Sequence, residues 1–420
     1  MRIETQCCIV GGGPAGMILG WLLARAGVDV VVLEKHADFL RDFRGDTVHP
    51  STLELMHELG VLDEFLRLPH TEMEHLDLQI LGERVPGPDF RSISTHHKFI
   101  ALMPQWDFLE FVRRQASRYP SFTLIQEAKA DALVRDGDRV AGVTATTPRG
   151  SLEVGAALVV GCDGRHSTIR ALAGLEPRGF GAPIDVLWLR LPRRPFDGEQ
   201  VFALVSADHF VVMLNRGDYW QCAFLIEKGG LDRLKQRGLP AFRDALRGLA
   251  PFLADRVALL ERWDDIKLLT VVVDRLERWW LPGLLCIGDA AHAMSPVGGV
   301  GINLAIQDAV AAANRLAEPL RARRVTTDDL AAVQARREPP TRKVQRLQLA
   351  IQSRVLAPVV AGHGRRVLRL VAFALRHIAP LRRIAAQALG VGQLEPLAPL
   401  AGQPVPPTRA AAAPPPSPPG

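Results

Sequence analysis

The run Gly11-Gly12-Gly13-Pro14-Ala15-Gly16 restricts the fold more than any other feature of the chain. It fits G-x-G-x-x-G, follows an apolar stretch over residues 3–10, and precedes a stretch over 14–26 that reads as a helix with Pro14 in its first turn. Residues 28–33 are apolar and β-branched again, so the N-terminal segment predicts a βαβ unit. Each glycine has its own reason: Gly11 permits the tight turn, Gly13 lets the backbone approach a pyrophosphate, and Gly16 lets helix and sheet pack closely. Glu34 closes the second strand about 20 residues on, where a carboxylate accepts hydrogen bonds from an adenosine ribose and disfavours a 2′-phosphate. Together with Pro14, Ala15 and the adjoining Lys35, these residues form the first set of candidate cofactor contacts. Alone, the motif leaves NAD and FAD both open.

The rest of the chain predicts a second unit inserted into the first. Residues 69–100 are short alternating runs broken by Gly82, Pro86, Gly87 and Pro88, and strand signals dominate again over 185–227. Helix patterns cover 105–118 and run from 301 past 316. The expected architecture is α/β, with a discontinuous nucleotide-binding domain over 1–69, 100–175 and 270–340. An inserted, mainly antiparallel substrate domain occupies 70–99 and 176–269, followed by C-terminal helices over 341–394 and a disordered Pro/Ala-rich tail over 395–420.

Composition narrows the function classes. With 420 residues, 48% hydrophobic and 23% charged, the chain suits a globular enzyme, and a net charge of +6 without a binding motif points away from nucleic acid. Five cysteines in no metal-ligand spacing predict reduced thiols, no metal site and a cytoplasmic setting. No secretory signal and no run of about 18 apolar residues is present.

Two later segments point to FAD. The first is Cys162-Asp163-Gly164-Arg165-His166-Ser167-Thr168-Ile169-Arg170. The second is Gly288-Asp289-Ala290-Ala291-His292, followed by Pro296, Gly298, Gly299, Gly301, Ile302, Asn303 and Asp308. With the N-terminal motif they make the first 345 or so residues resemble the flavoprotein aromatic hydroxylases typified by p-hydroxybenzoate hydroxylase. The resemblance implies an FAD-binding Rossmann-like domain of the glutathione reductase type. It also implies oxygen transfer through a C4a-hydroperoxyflavin, with O2 and transiently bound NADH or NADPH as co-reactants. Asp163 then lies beside the pyrophosphate region, Asp289 reaches the ribityl chain, and Arg44 and Gln105 contact FAD, with Arg41 a weaker phosphate candidate. Pro296 and Gly298 position the flavin loop, and no acid or base is assigned. Asp308, inside a helix, is expected to matter less than Asp289, and His292 to shape the loop rather than react. An FAD-dependent reductase or halogenase of the same superfamily, and a non-catalytic flavin-binding escort protein, are the alternative readings.

The substrate is a small molecule, and Phe210, Val212, Leu214, Trp220, Cys222 and Phe224 are expected to form one inward apolar wall suited to an aromatic or polyketide-like ligand. Oligomeric state stays open. Over 341–394 there is no acidic residue, and arginines are interspersed with aliphatic residues. Peripheral contact with an anionic membrane is one reading, but Pro358, Gly362, Gly364 and Pro380 break the span, which favours helices packed on the body.

Overall fold

The computed structural model describes residues 1–39, 47–197 and 203–399. The elements that position the site are, in chain order, β1 (Arg2–Val10), α1 (Pro14–Arg25), β2 (Val30–Leu33), α2 (Pro50–Glu58) and α3 (Gln105–Ala116). They continue with β3 (Phe122–Ile125), β4 (Gly150–Gly161), β5 (Ile184–Pro192), β6 (Phe210–Asn215), β7 (Tyr219–Glu227) and β8 (Leu284–Cys286). The helices α4 (Gly301–Arg321), α5 (Thr327–Ile351), α6 (Arg365–His377) and α7 (Ala379–Gly390) complete the set.

Five strands lie parallel in the order β8-β4-β1-β2-β3. Their near-continuous apolar sequences follow from burial on both faces. On β1, Cys7 and Ile9 pack toward α1, α3 and α4, whereas Cys8 and Val10 pack under the hairpin Lys129–Asp136 and Arg139–Thr147. All five cysteines are buried free thiols, and burial pushes those of Cys8, Cys222 and Cys286 up to about 12.

A second, seven-stranded sheet runs Lys267–Leu269, β5, β7, β6, Ala203–Val205, His75–Ile80, Glu83–Asp89. It is antiparallel except where Ala203–Val205 meets His75–Ile80 in parallel. The helices Leu231–Arg237 and Leu239–Leu249 cover one face, and the other looks toward the nucleotide-binding domain.

Three expected boundaries move. Thr71–Met73 pairs with Ile100–Leu102 in a small separate sheet instead of joining the substrate sheet. The division at 340/341 falls inside α5, which carries Pro339 and Pro340 without ending. Residues 395–399 are not loose: Glu395 is buried and accepts Arg336 Nε at 2.9 Å, and the Leu397 amide donates to the Glu58 carboxylate at 2.9 Å. The expected tail from 400 onward lies outside the described residues.

Candidate active site

Parallel register sets Leu33, Val10, Gly161 and Cys286 side by side at the carboxyl ends of β2, β1, β4 and β8. Three motifs far apart in sequence therefore leave the sheet at one crevice, the place where open α/β sheets bind ligands. Gly11 has φ +111°, and a Cβ there would lie 2.4 Å from the carbonyl oxygen of Cys162. A Cβ on Gly16 would lie 2.0 Å from the Gly11 carbonyl oxygen, so both glycines are required by the protein itself. Gly13 differs, because nothing of the protein comes within 4 Å of the Cβ it lacks.

Two helices open at this crevice with no side-chain cap, α1 after Gly13 and α4 after Val300. Their first amides are thus left for a ligand, and their dipoles favour negative charge there. The residues fit FAD: α1 would hold the pyrophosphate and α4 the polar edge of the flavin ring. Glu34, 6% exposed, accepts the Gly12 amide at 2.9 Å and the His36 amide at 3.0 Å, which fixes its carboxylate at the end of β2 beside the turn into α1. Ala15 is buried beside Gly288, Lys35 is exposed, and half-buried Gln105 heads α3, which packs on α1. Arg44 and Arg41 lie outside the described residues.

Asp163 is bonded within its own turn. Its carboxylate accepts Ser167 Oγ at 2.5 Å and the amides of Thr168 and Ile169 at 2.7 and 3.1 Å, and so orders that turn at the crevice. Arg170, which sequence reasoning did not single out, joins the two flavin segments by donating to the carbonyls of Arg165 at 2.9 Å and Ala290 at 3.2 Å. Asp289 stays partly exposed, 3.8 Å from Arg165.

The loop over 288–301 is held from behind. Fully buried Asp308 of α4 accepts the Gly288 amide at 3.1 Å, His292 Nε2 at 2.6 Å and Arg337 Nε at 2.9 Å. Burial favours its neutral form, yet the His292 ring and the Arg337 guanidinium hold the carboxyl below the usual carboxylate range. His292 also packs on Trp279 with ring centroids 4.9 Å apart. From α5, Gln345 donates to the Ala293 carbonyl at 3.1 Å and Gln348 to those of Ser295 and Val297 at 3.0 and 2.8 Å. No local pattern marks these glutamines, since their partners are more than 50 residues away.

Pro296 leads into a single turn in which Gly298 and Gly299 take φ of +81° and +64°. Asn303 accepts the His49 amide and Thr52 Oγ1, the latter at 2.8 Å, so its carbonyl oxygen ties α4 to α2 rather than facing a ligand. Gly301 and Ile302 are half-buried in the first turn of α4. His49 is fully buried, with Nδ1 2.7 Å from the Leu389 carbonyl oxygen, and burial pushes its pKa down to about 4. The ring is therefore neutral and protonated on Nδ1. Nε2 has no partner and points toward Gly299.

The six expected substrate residues do not form one wall. Register pairs Val212 with Ala223 and Met213 with Cys222, so even-numbered residues of β6 share a face with odd-numbered residues of β7. Trp220, Cys222 and Phe224 consequently pack under the two helices on the far face, where Trp220 Nε1 donates to Asp197 at 2.8 Å and Asp197 pairs with buried Arg256. Phe210, Val212 and Leu214 face the other way, with Trp188, Ala223 and Gln221 beside them. Val297 of the flavin loop and Leu389 of α7 pack against this face. The indole N–H of Trp188 is buried there without a partner.

The sequence profile described as FAD binding domain matches residues 4–347. The 6-methylpretetramide 4-monooxygenase of Streptomyces rimosus is 34% identical over 387 residues, 91% of this chain and 92% of that protein. A 12-dehydrotetracycline 5-monooxygenase/anhydrotetracycline 6-monooxygenase of Streptomyces rimosus is 31% identical over 72% of the chain, which spans only 60% of that relative's length. Among solved structures, the OxyS anhydrotetracycline hydroxylase of Streptomyces rimosus superposes with a TM-score of 0.72 at 25% identity, covering 92% of this chain and 76% of that one. PqsL of Pseudomonas aeruginosa shares the fold at TM-score 0.72 and 23% identity, covering 87% and 99%. With its three cofactor segments meeting at one crevice and a family match over most of its length, the chain belongs to the FAD binding domain family of flavoprotein monooxygenases and is an FAD-dependent oxidoreductase.

Proposed function

We propose that the chain is an NADH- or NADPH-dependent monooxygenase that hydroxylates a flat aromatic or polyketide-like molecule. The observation that carries this reading is the sheet face opposite the flavin loop, where Val212, Leu214 and Ala223 form an apolar floor beside a buried indole N–H that lacks an acceptor. Such a surface excludes water from a planar ligand, and the Trp188 N–H suits a carbonyl or phenol oxygen at its edge. Gln221, 2% exposed on the same face, accepts Arg216 Nε at 3.2 Å and presents its amide as a donor. Two relatives named for oxygenating 6-methylpretetramide and anhydrotetracycline support this substrate class.

Bound FAD supplies the redox chemistry, taking hydride from the nicotinamide and activating O2. The chain's own part is positional and electrostatic. The uncapped amino end of α4 favours negative charge on the reduced ring, and the glycines at 298 and 299 let the backbone come close to it. Asp163 and Arg170 keep the neighbouring segment in place. Asp289 accepts hydrogen bonds from the ribityl hydroxyls.

The test is a screen of polycyclic phenols and polyketides for compounds that stimulate NAD(P)H oxidation by the purified holoenzyme. With a compound that does, Trp188→Phe raises KM about tenfold, the worth of one buried hydrogen bond. A screen in which no such compound stimulates oxidation, or a Trp188→Phe enzyme with parental KM, contradicts the proposal.

A further inference from the structure

Helices α6 and α7 have two different faces. Leu368, Val371 and Leu375 pack on the strands His75–Ile80 and Glu83–Asp89, and Ala386 and Leu389 pack on Phe90, Ile93 and Leu214. The opposite faces are open. Of the eleven large apolar side chains exposed among the described residues, five fall within residues 370–384: Leu370 at 70%, Phe373 at 61%, Ile378 at 48%, Leu381 at 39% and Ile384 at 63%. Such clustering is unlike the scattered exposed leucines of an ordinary surface.

The helices that carry this patch are themselves of one charge sign. Residues 341–394 hold ten lysines and arginines and no acid, more than the chain's entire net charge of +6, so the rest of the chain is net −4. Arg376 is neutralised by Glu83 at 2.6 Å. Among the described residues, Arg365, Arg366, Arg369, Arg382 and Arg383 take part in no ion pair. On α6 the helical angle of 100° per residue puts Arg366 between Leu370 and Phe373, so cation and apolar groups alternate within one face.

We propose that this face is a docking surface for an anionic phospholipid bilayer, on which the enzyme sits peripherally with α6 and α7 lying along the headgroup boundary. Arginines interleaved with bulky apolar side chains suit that boundary, because the guanidinium pairs with lipid phosphate while its stem and the neighbouring Phe or Ile enter the acyl region. A two-fold pairing of this face with itself in a second copy would set arginine against arginine. Residues 400–420 carry Arg409 as their only charged side chain and supply no complementary carboxylate side chain. The apolar residues stand on the outward faces of two consecutive helices, whereas Arg382 and Arg383 line, with Asp77 and Asp89, the cavity of about 310 Å3 that borders α7, which leaves Arg365, Arg366 and Arg369 of α6 as the cations of the outward face. No helix among the described residues is long and apolar enough to cross a membrane.

Co-sedimentation of the full-length holoenzyme with phosphatidylcholine vesicles, with and without phosphatidylglycerol, tests the proposal at low and at physiological ionic strength. Binding is expected only with phosphatidylglycerol and to weaken with salt. Arg365→Gln, Arg366→Gln and Arg369→Gln combined lower it about a hundredfold, by the usual contribution of a cation at an anionic surface. Phe373→Ser with Ile384→Ser lowers it about tenfold or more, through lost insertion. Both variants retain parental FAD content, which separates lost docking from lost folding. Equal binding to the two vesicle types, parental binding by either folded variant, or salt-sensitive self-association that the same substitutions abolish without any vesicle binding overturns the proposal.

Discussion

Asp289 and Asp308 belong to one loop-and-helix unit yet sit in opposite environments, and they should fail in opposite ways. Asp289 is partly open to the crevice, so Asp289→Ala should weaken FAD retention on dilution while leaving the denaturation midpoint of the apoprotein near that of the parent. Asp308 touches no ligand space, but its loss strands Arg337 and His292 in a fully buried site, and Asp308→Ala should cost about 3–5 kcal/mol of stability. Matching effects from the two substitutions on both readouts would contradict this division. His49 adds a pH dependence of definite sign. An unfolded histidine takes up its proton near pH 6.5, whereas the buried ring does so only near 4, so stability from this residue is present at neutral pH and is lost as pH falls through that window. Between pH 7 and pH 5 the loss is roughly 2 kcal/mol. Denaturant titration of the parent and of His49→Gln at both values should show the parent losing that much more than the variant. Equal losses would mean that the ring titrates normally.

At the scale of elements, the crevice depends on glycines that serve different neighbours, and one substitution made at two of them separates fold from cofactor. Gly11→Ala meets the Cys162 carbonyl oxygen and a φ of +111°, so β1 and β4 lose their junction and the protein should fail to accumulate in folded form. Gly13→Ala meets no protein atom and has an ordinary φ of −78°, so it should fold and yet fail to retain FAD. A folded Gly13→Ala protein with parental flavin content would remove the pyrophosphate from this turn. The β1-α1-β2 unit could be read from sequence because its signals are local: a glycine spacing, a proline at the first helical position and two apolar strands. The support of the flavin loop could not, since Gln345, Gln348 and Arg337 act across tens of residues and look like ordinary helix-surface residues in sequence. The substrate wall was half legible. Period-two alternation holds within β6 and within β7, but the hairpin register changes parity between them, and nothing in the alternation itself reports that change.

The whole molecule sets two sheets at right roles around one space: a parallel sheet whose carboxyl edge holds the cofactor, and a mainly antiparallel sheet whose apolar face meets the flavin loop. α7 closes that space by packing Leu389 against His49 and Gly298, and α5 braces it from outside. With FAD bound, this arrangement would keep water from the reduced ring and from a planar ligand beside it, the condition for passing oxygen to carbon instead of releasing peroxide. The most direct measurement is product mass after turnover of a stimulating phenol or polyketide with NAD(P)H under 18O2 in ordinary water. The account predicts one 18O atom in the product for each nicotinamide oxidised. A product that gains hydrogen or halogen without labelled oxygen, or nicotinamide oxidation that yields only peroxide with every substrate that binds, would contradict it.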